Sequence, residues 1–509
     1  MPKPPNKLAE SLGVLKDLQN RRIIAIASGD ITRTHRERLV RNGFLQPVMK
    51  GWYIPARPDE PAGESTAWYA SFWDFCAAYL TSRFGKKWSL SPEQSLVLHA
   101  GNRRVPDQLL VRASQSRNKV TELLHGTSLL EVRANLPAEK DTDVQGALRL
   151  FFLPAALVAC SPIFYRQYAT DARTVLAMIR DASEVLDRLL EGGHSTVAGR
   201  LAGAFRNIGR DRIADTILKT MQAAGYVVRE NDPFEAESPV IFTHKERSPY
   251  VNRMRLMWKE MREPVIEGFP PPPGLPKDAK AYLQTVNDAY VMDAYHSLSI
   301  EGYRVSPDLI EKVRQGSWNP DTNAADLQQR DALAARGYWL AFQAVQESLK
   351  RVLKGENPAD VADEDHGTWY REMFAPGVTA GLLRASHLAG YRNGQVYIRR
   401  SMHVPPSREA VRDLMPVFFD LLRNETEPAV RAVLGHFVFV YIHPYMDGNG
   451  RIGRFLMNAM LAAGGWKWTV IPVEKRDAYM AALESASVQQ NIAPFVKFLA
   501  SLIKVEEKI

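Results

Sequence analysis

The stretch HPYMDGNGRIGRF, from His443 to Phe455, constrains this chain more than any other. Upstream, TEPAVRAVLGHFVFVYIH predicts a buried helix: Thr426 as cap, Pro428 in the first turn, then mostly apolar residues. Downstream, RIGRFLMNAMLAAGG sets Ile452, Phe455, Leu456 and Met460 on one helical face, and Gly464-Gly465 ends it. Between the two helices lies Asp447-Gly448-Asn449-Gly450. Two glycines let successive backbone N–H groups point inward, and the loop feeds a helix N-terminus, which together make a cradle for an anion such as phosphate.

The side chains around that loop are chemically matched. Arg451 and Arg454 sit one turn apart and offer planar donors for phosphate oxygens. Asp447 supplies a hard carboxylate for Mg²⁺, which takes one or two carboxylates plus substrate phosphates. His443 is the only nearby group that can accept a proton near neutral pH. Asp-Gly and Asn-Gly are common turn dipeptides, and a lone histidine at a helix end usually serves structure. Base, carboxylate, anion loop and paired arginines within one short stretch are hard to explain as packing.

The stretch resembles the Fic signature HPFxDGNGRxxR, with Tyr445 for the usual phenylalanine, and the resemblance runs from about Ala281 to Ile503. It implies an α-helical core that transfers AMP from ATP to a Ser, Thr or Tyr hydroxyl of a target protein or of the chain itself. By position, His443 would deprotonate the hydroxyl and Asp447 would hold Mg²⁺. Gly448, Asn449, Gly450 and Arg451 would cradle the phosphate chain, with Gly453 counted in the same nucleotide site, and Arg454 would meet the γ-phosphate. GYRNGQVYIRRSMHVPP looks like the family's β-hairpin flap, so Val396, Tyr397, Ile398 and Arg399 align with the strand that touches the nucleotide. EKRDAYMAALESAS resembles the helix beside the adenine, here Tyr479 with Met480, and Ser487 stands where many relatives have asparagine.

Ser297-x-x-x-Glu301-Gly302 reads on its own as a helix end with a glycine cap. Relatives use (S/T)xxxE(G/N) for an inhibitory helix, here near 291–302, whose Glu pairs with the second motif arginine. The resemblance thus implies a Glu301–Arg454 pair that competes with the γ-phosphate, on the N-terminal side of the core. In some relatives the same Glu positions water to remove AMP, and a few use UTP or a choline-bearing donor.

The 509 residues suit about three domains. GFPPPPGLP, from Gly268, cannot lie inside a helix or central strand. Asn231 to Arg262 reads as charged and irregular, so 241–280 is expected to be a linker. Residues 281–503 follow as a helical domain, broken only by a β-like stretch at Gln395–Ile398. At the front, Leu8, Leu12, Leu15 and Leu18 mark one helical face. SGDITRTHRERLVRNGFL predicts a turn at Gly29-Asp30, a Thr32 cap and a short basic helix, and FLQPVMKGWYIP alternates like two strands. Helix, turn, basic helix, hairpin is the layout of a winged helix-turn-helix over 1–58.

The whole-chain charge is +8, from 65 basic and 57 acidic residues. Residues 1–57 hold eleven basic residues against four acidic ones, a net of +7. Arg33, Arg36, Arg38, Arg41 and Lys50 are therefore candidates for DNA-phosphate contact, although winged helices also serve as protein-contact modules. GDITRTHRERLVRNGFLQPVMKGWYIPARP resembles the N-terminal domain of AbiEi-type antitoxins, which implies promoter binding and brings no catalytic residue. Residues 59–240 are expected to be mostly helical, with a dimer or partner surface.

Hydrophobic residues at 45% and charged ones at 24% exclude a mainly disordered chain. Two cysteines, Cys76 and Cys160, in apolar surroundings exclude a disulfide scaffold and a cysteine zinc cage. The N-terminus has no apolar signal core and no run reaches membrane-spanning length, so no membrane partner and a cytoplasmic location are expected. The expected fold is mainly α: a helical Fic core with a small flap, preceded by the winged unit. Two functions follow, an ATP- and Mg²⁺-dependent protein adenylyltransferase restrained by Glu301, or a DNA-binding regulator whose core senses nucleotide or removes AMP. Two-metal phosphoester hydrolysis lacks the second ligand cluster it needs.

Overall fold

The computed structural model describes residues 7–59, 63–238, 240–242, 248–317 and 330–505. The chain is mainly helical and divides into two compact units. One comprises 1–253 with Tyr397–Val404, the other Met254–Val396 with Pro405–Ile509.

The first unit opens with the elements its sequence predicts. Helix Lys7–Asn20 buries Leu15 and Leu18, helix Arg33–Arg41 follows, and Leu45–Met49 and Trp52–Pro55 pair antiparallel. Ile26–Ala27 adds a third short strand beside Trp52–Pro55. The Thr32 hydroxyl accepts the His35 N–H, and Asp30 closes the preceding turn on the Ala27 N–H. Leu15, Leu18, Ile26, Ile31, Leu39 and Leu45 form the small core beneath.

The middle of this unit holds more strand than expected. Trp88–Leu90, Gln108–Ala113, Ser128–Arg133 and Lys119–Glu122 make a four-stranded sheet in that spatial order, its central pair parallel. Thr142–Gln145 and Leu148–Phe151 form a separate ladder. These strands are short, and the central pair joins segments about 20 residues apart, so local periodicity carries little of their signal. Trp68, Phe72, Phe75 and Trp88 fill the core against the sheet. Cys76 and Cys160 are buried free thiols, as expected, and burial raises the pKa of both.

The expected linker is largely a helix. Pro249–Gly268 runs for 20 residues, and Val251, Met254, Met257, Trp258, Met261 and Val265 are buried along it. Their spacing of three and four is a helical stripe hidden among the charged residues of RMRLMWKEMRE. Residues 243–247 and 318–329 lie outside the described residues.

In the second unit, helices Ala279–Ile300, Arg330–Leu353, Pro358–Thr379, Pro428–Ile442 and Asn449–Gly464 enclose the signature. Phe342, Phe437, Phe439, Phe455 and Met457 are fully enclosed at the centre. Among the described residues no helix is long and apolar enough to cross a membrane.

Candidate active site

His443 ends the Pro428–Ile442 helix in a left-handed conformation, φ 54° and ψ 59°. That turn reverses the chain into the glycine loop at a non-glycine residue, which is uncommon and costs energy. Its Nδ1 lies 3.0 Å from the Val440 carbonyl oxygen. A carbonyl only accepts, so Nδ1 carries the proton and Nε2 keeps its lone pair. Burial pulls the imidazole pKa below its ordinary value, the Val440 bond opposing this, so the ring stays neutral.

Arg392 holds this turn, and sequence reasoning did not single it out. It is 1% exposed. Its Nε donates to the His443 carbonyl at 2.8 Å, Nη1 donates to Gly394 at 2.9 Å, and Nη2 donates to the Pro406 carbonyl. Its own N–H donates to Pro444 at 2.9 Å. An arginine amid YRNGQ carries no pattern that separates it from a surface cation, because its acceptors are backbone carbonyls distant in sequence.

The loop is shaped from within. Gly448 adopts φ 79°, and a Cβ there would come within 2.8 Å of Phe374. Asn449, expected to cradle phosphate, instead accepts the Tyr445 N–H at 2.8 Å and donates to the Tyr445 carbonyl at 2.9 Å. Its side chain is used up closing the loop, so it acts through loop shape. Tyr445 stacks on Tyr370 at 3.9 Å between centroids, which shows how an aromatic ring at this position anchors the loop. A Cβ at Gly450 would lie 2.4 Å from Glu301 Oε1, so this glycine leaves the space the carboxylate occupies. Gly453 serves packing rather than the anion cradle: a Cβ there would meet Val440 at 2.9 Å and His436 at 3.1 Å across the helix pair.

Both signature arginines are buried at the start of the Asn449–Gly464 helix, Arg451 at 1% exposure and Arg454 at 4%. Arg451 lies over the Tyr303 and Phe374 rings and 3.4 Å from Asp447 Oδ1. Arg454 Nη2 donates to Glu301 Oε1 at 2.8 Å and to the Ser297 carbonyl at 3.1 Å, and Nε donates to Ser297 Oγ at 2.9 Å. Arg451 Nε and Arg454 Nη1 are buried without a hydrogen-bond partner. Buried guanidinium nitrogens left unpaired beside a helix N-terminus are a receptive environment for an anion. Asp447 is the one carboxylate of the loop; its Oδ1 accepts the Gly448 N–H at 2.6 Å and most of the side chain faces solvent. Among the described residues no group of three or more His, Cys, Asp or Glu side chains converges. A single carboxylate facing an anion loop fits a Mg²⁺ ion whose remaining ligands are phosphates and water.

The expected flap is not a hairpin. Residues 390–406 form no backbone ladder, and Arg400 turns the chain at φ 58°. Gln395 donates to the Val396 carbonyl at 3.2 Å and to the Pro405 carbonyl at 2.9 Å, and Arg392 takes the Gly394 and Pro406 carbonyls, so side chains satisfy acceptors a ladder would have used. Val396 belongs to the second unit. Tyr397, Ile398 and Arg399 belong to the first, where the Arg400 N–H donates to Thr66 Oγ1 and the Met402 carbonyl accepts the Val105 N–H. Tyr479 is enclosed, its hydroxyl 2.7 Å from His436 Nε2 and its ring against Phe495 and Phe498, with Met480 half-buried beside it. The Pro428–Ile442 helix begins after Glu427 rather than at Thr426, because Glu425 takes the Thr426 and Glu427 N–H groups.

At the front of the chain the basic side chains divide. Arg38 donates to the Lys7 carbonyl at 2.6 Å and to Ser11 at 2.8 Å, so it ties the two helices together. Arg33 pairs with Glu37 at 2.6 Å. Arg36 donates to the Ser28 carbonyl and lies over the Tyr53 ring, while Arg41 and Lys50 are exposed.

The Fic/DOC family model matches residues 367–461, which hold the loop, the helix before it and most of the helix after it, so the chain contains a Fic domain. Protein adenylyltransferase Fic of Drosophila willistoni is 30% identical over 224 residues, 43% of this chain and 41% of that protein. The protein of the same name from Nematostella vectensis is 29% identical over 230 residues, 44% of this chain and 50% of its own length. The chain thus spans two-fifths to half of these curated relatives. Among solved structures, Fic-1 from C. elegans is similar with a TM-score of 0.36 and 18% identity, over 64% of this chain and 90% of that one.

Proposed function

We propose that the chain is a protein adenylyltransferase that moves AMP from ATP to a hydroxyl side chain of a target protein or of itself, restrained by Glu301. One observation carries this reading. An imidazole with a free Nε2 adjoins an anion loop in which Arg454 Nη1 is buried without a partner while Nη2 is occupied by Glu301. The named relatives and the family match support the same chemistry.

In this reading His443 Nε2 takes the proton of the target hydroxyl. The freed oxygen attacks the α-phosphorus, the bond to the bridging oxygen breaks and pyrophosphate leaves. The loop N–H groups and Arg451 hold the phosphate chain, and Arg454 receives the γ-phosphate once Glu301 has moved. Asp447 holds Mg²⁺, which neutralises phosphate charge when bound. Val396, Tyr479 and Met480 belong to this reading as nucleotide-side residues, the enclosed Tyr479 through packing. Glu301 acts as a brake because carboxylate and γ-phosphate compete for one guanidinium. The test is incorporation of labelled AMP by wild type, Glu301→Gly and His443→Ala. Weak, strong and no labelling in that order are expected; labelling by His443→Ala overturns the base.

The front of the chain favours a second, compatible activity. Its helix–helix–hairpin order with exposed Arg41 and Lys50, and Arg36 at the helix–hairpin junction, supports a winged helix that contacts DNA phosphates, in a protein of the cytoplasm.

A further inference from the structure

The last turn of the Ala279–Ile300 helix, which delivers Glu301, is held from two sides. A helix leaves its last four carbonyls without partners inside it, and here each finds one. The Ser297 carbonyl accepts Arg454 Nη2 at 3.1 Å. The Leu298 carbonyl accepts the Glu301 and Tyr303 N–H groups, and the Ser299 carbonyl accepts that of Gly302. The Ile300 carbonyl, directly before Glu301, accepts Arg476 Nε at 2.9 Å. One turn earlier, His296 Nδ1 accepts the Val473 N–H at 3.1 Å, so Nδ1 carries no proton. Ser297 and Glu301 are thus bonded to Arg454, while His296 and Ile300 are tied to residues 473–476. That second segment opens the helix Arg476–Gln489, which carries Tyr479 and Met480.

We propose that Arg476 is a positioning residue for the brake: its bond to the Ile300 carbonyl holds the last helical turn and so keeps Glu301 on Arg454. The inference rests on the reading that Glu301 restrains the transfer. When the chain around Glu301 shifts to release the guanidinium, the Ile300 carbonyl must exchange Arg476 for water. A hydrogen bond from a charged donor is about twice as strong as one between neutral groups, so this bond favours the restrained state. The other end of Arg476 is lightly engaged: Nη1 lies 3.4 Å from the fully exposed Asp477 carboxylate. The latch therefore sits at the surface, whereas the arginine that Glu301 blocks is nearly enclosed.

The test is labelled-AMP incorporation by the full chain in a double-mutant cycle of Arg476→Met against Glu301→Gly. Arg476→Met keeps an unbranched apolar stem and removes the donor. With Glu301 present it is expected to raise labelling about fivefold. In Glu301→Gly the same substitution should change labelling by less than about twofold, because no carboxylate remains to be positioned. Arg476→Lys, which still offers a charged donor to the carbonyl, should stay near wild type. A role in general stability would lower labelling in both backgrounds and would not be rescued by lysine in the restrained chain alone. No gain with Glu301 present, an equal gain in both backgrounds, or a loss in both overturns the latch. If Glu301→Gly itself gives no gain, the brake is overturned and the latch falls with it.

Discussion

Glu301 Oε1 lies 2.8 Å from Arg454 Nη2, joining the end of one helix to the second turn of another 153 residues later. The guanidinium is nearly enclosed and the carboxylate only partly so. Removing Glu301 leaves the arginine bonded to Ser297 and opens the space beside Gly450. Glu301→Gly is expected to raise self-labelling with ATP at least tenfold and to lower the melting temperature, because it leaves the enclosed Arg454 charge without its carboxylate. Quantified label incorporation beside a thermal melt checks both halves.

His443 should act as a base over a wide pH range. Its pKa is lowered by burial, so the ring loses its proton below the ordinary value of about 6.5. Activity should therefore rise with pH with a midpoint below that value. The rate against pH for Glu301→Gly tests this; a midpoint well above 6.5 would mean that a different group supplies the base.

Arg392 should matter as a support. It binds the His443 carbonyl and the two ends of the 394–406 segment, and buries its charge to do so. Arg392→Lys cannot reproduce the fork. About tenfold or more should be lost from turnover, with nucleotide affinity nearly unchanged, because the group it orients is the base and not the phosphate loop. Turnover and nucleotide binding measured together separate the two.

His436 is fully buried and its pKa is lowered to about 4, chiefly by burial. The folded state resists protonation while the unfolded chain takes a proton near 6.5, so stability falls as pH drops from about 6.5 towards 4. His436→Gln, which keeps a polar partner for Tyr479, should flatten that decline. Denaturant titrations at pH 7 and pH 5 measure it.

For the front of the chain, Arg41→Ala and Lys50→Ala should each weaken DNA binding and reduce the dependence on salt by about one counterion. Arg38→Ala should act differently and lower stability, since its guanidinium ties the first two helices. Salt-dependent binding curves and melts distinguish the roles.

The signature was legible because its parts are local. A base, a carboxylate, two glycines and two arginines within a short stretch can be read from spacing alone, whereas the Glu301–Arg454 contact was implied only by the resemblance to Fic relatives and is present. Arg392 was not legible, since it acquires its role from carbonyls 14 and 51 residues away. The Pro249–Gly268 helix was concealed by charge, its apolar stripe narrow beneath arginines and glutamates. The 390–406 segment failed for another reason: residues with strand-like alternation had their carbonyls taken by the Arg392 and Gln395 side chains instead of a second strand. The sheet between Trp88 and Arg133 depends on a parallel central pair, Gln108–Ala113 with Ser128–Arg133, whose pairing no local pattern announces.

The most direct measurement is the intact mass of the Glu301→Gly chain after incubation with ATP and Mg²⁺, beside the same chain carrying His443→Ala. The account predicts a gain of one or more AMP units in the first and none in the second. An unchanged mass in the first, with the target hydroxyl supplied by the chain itself or by a cell extract labelled in parallel, would contradict it.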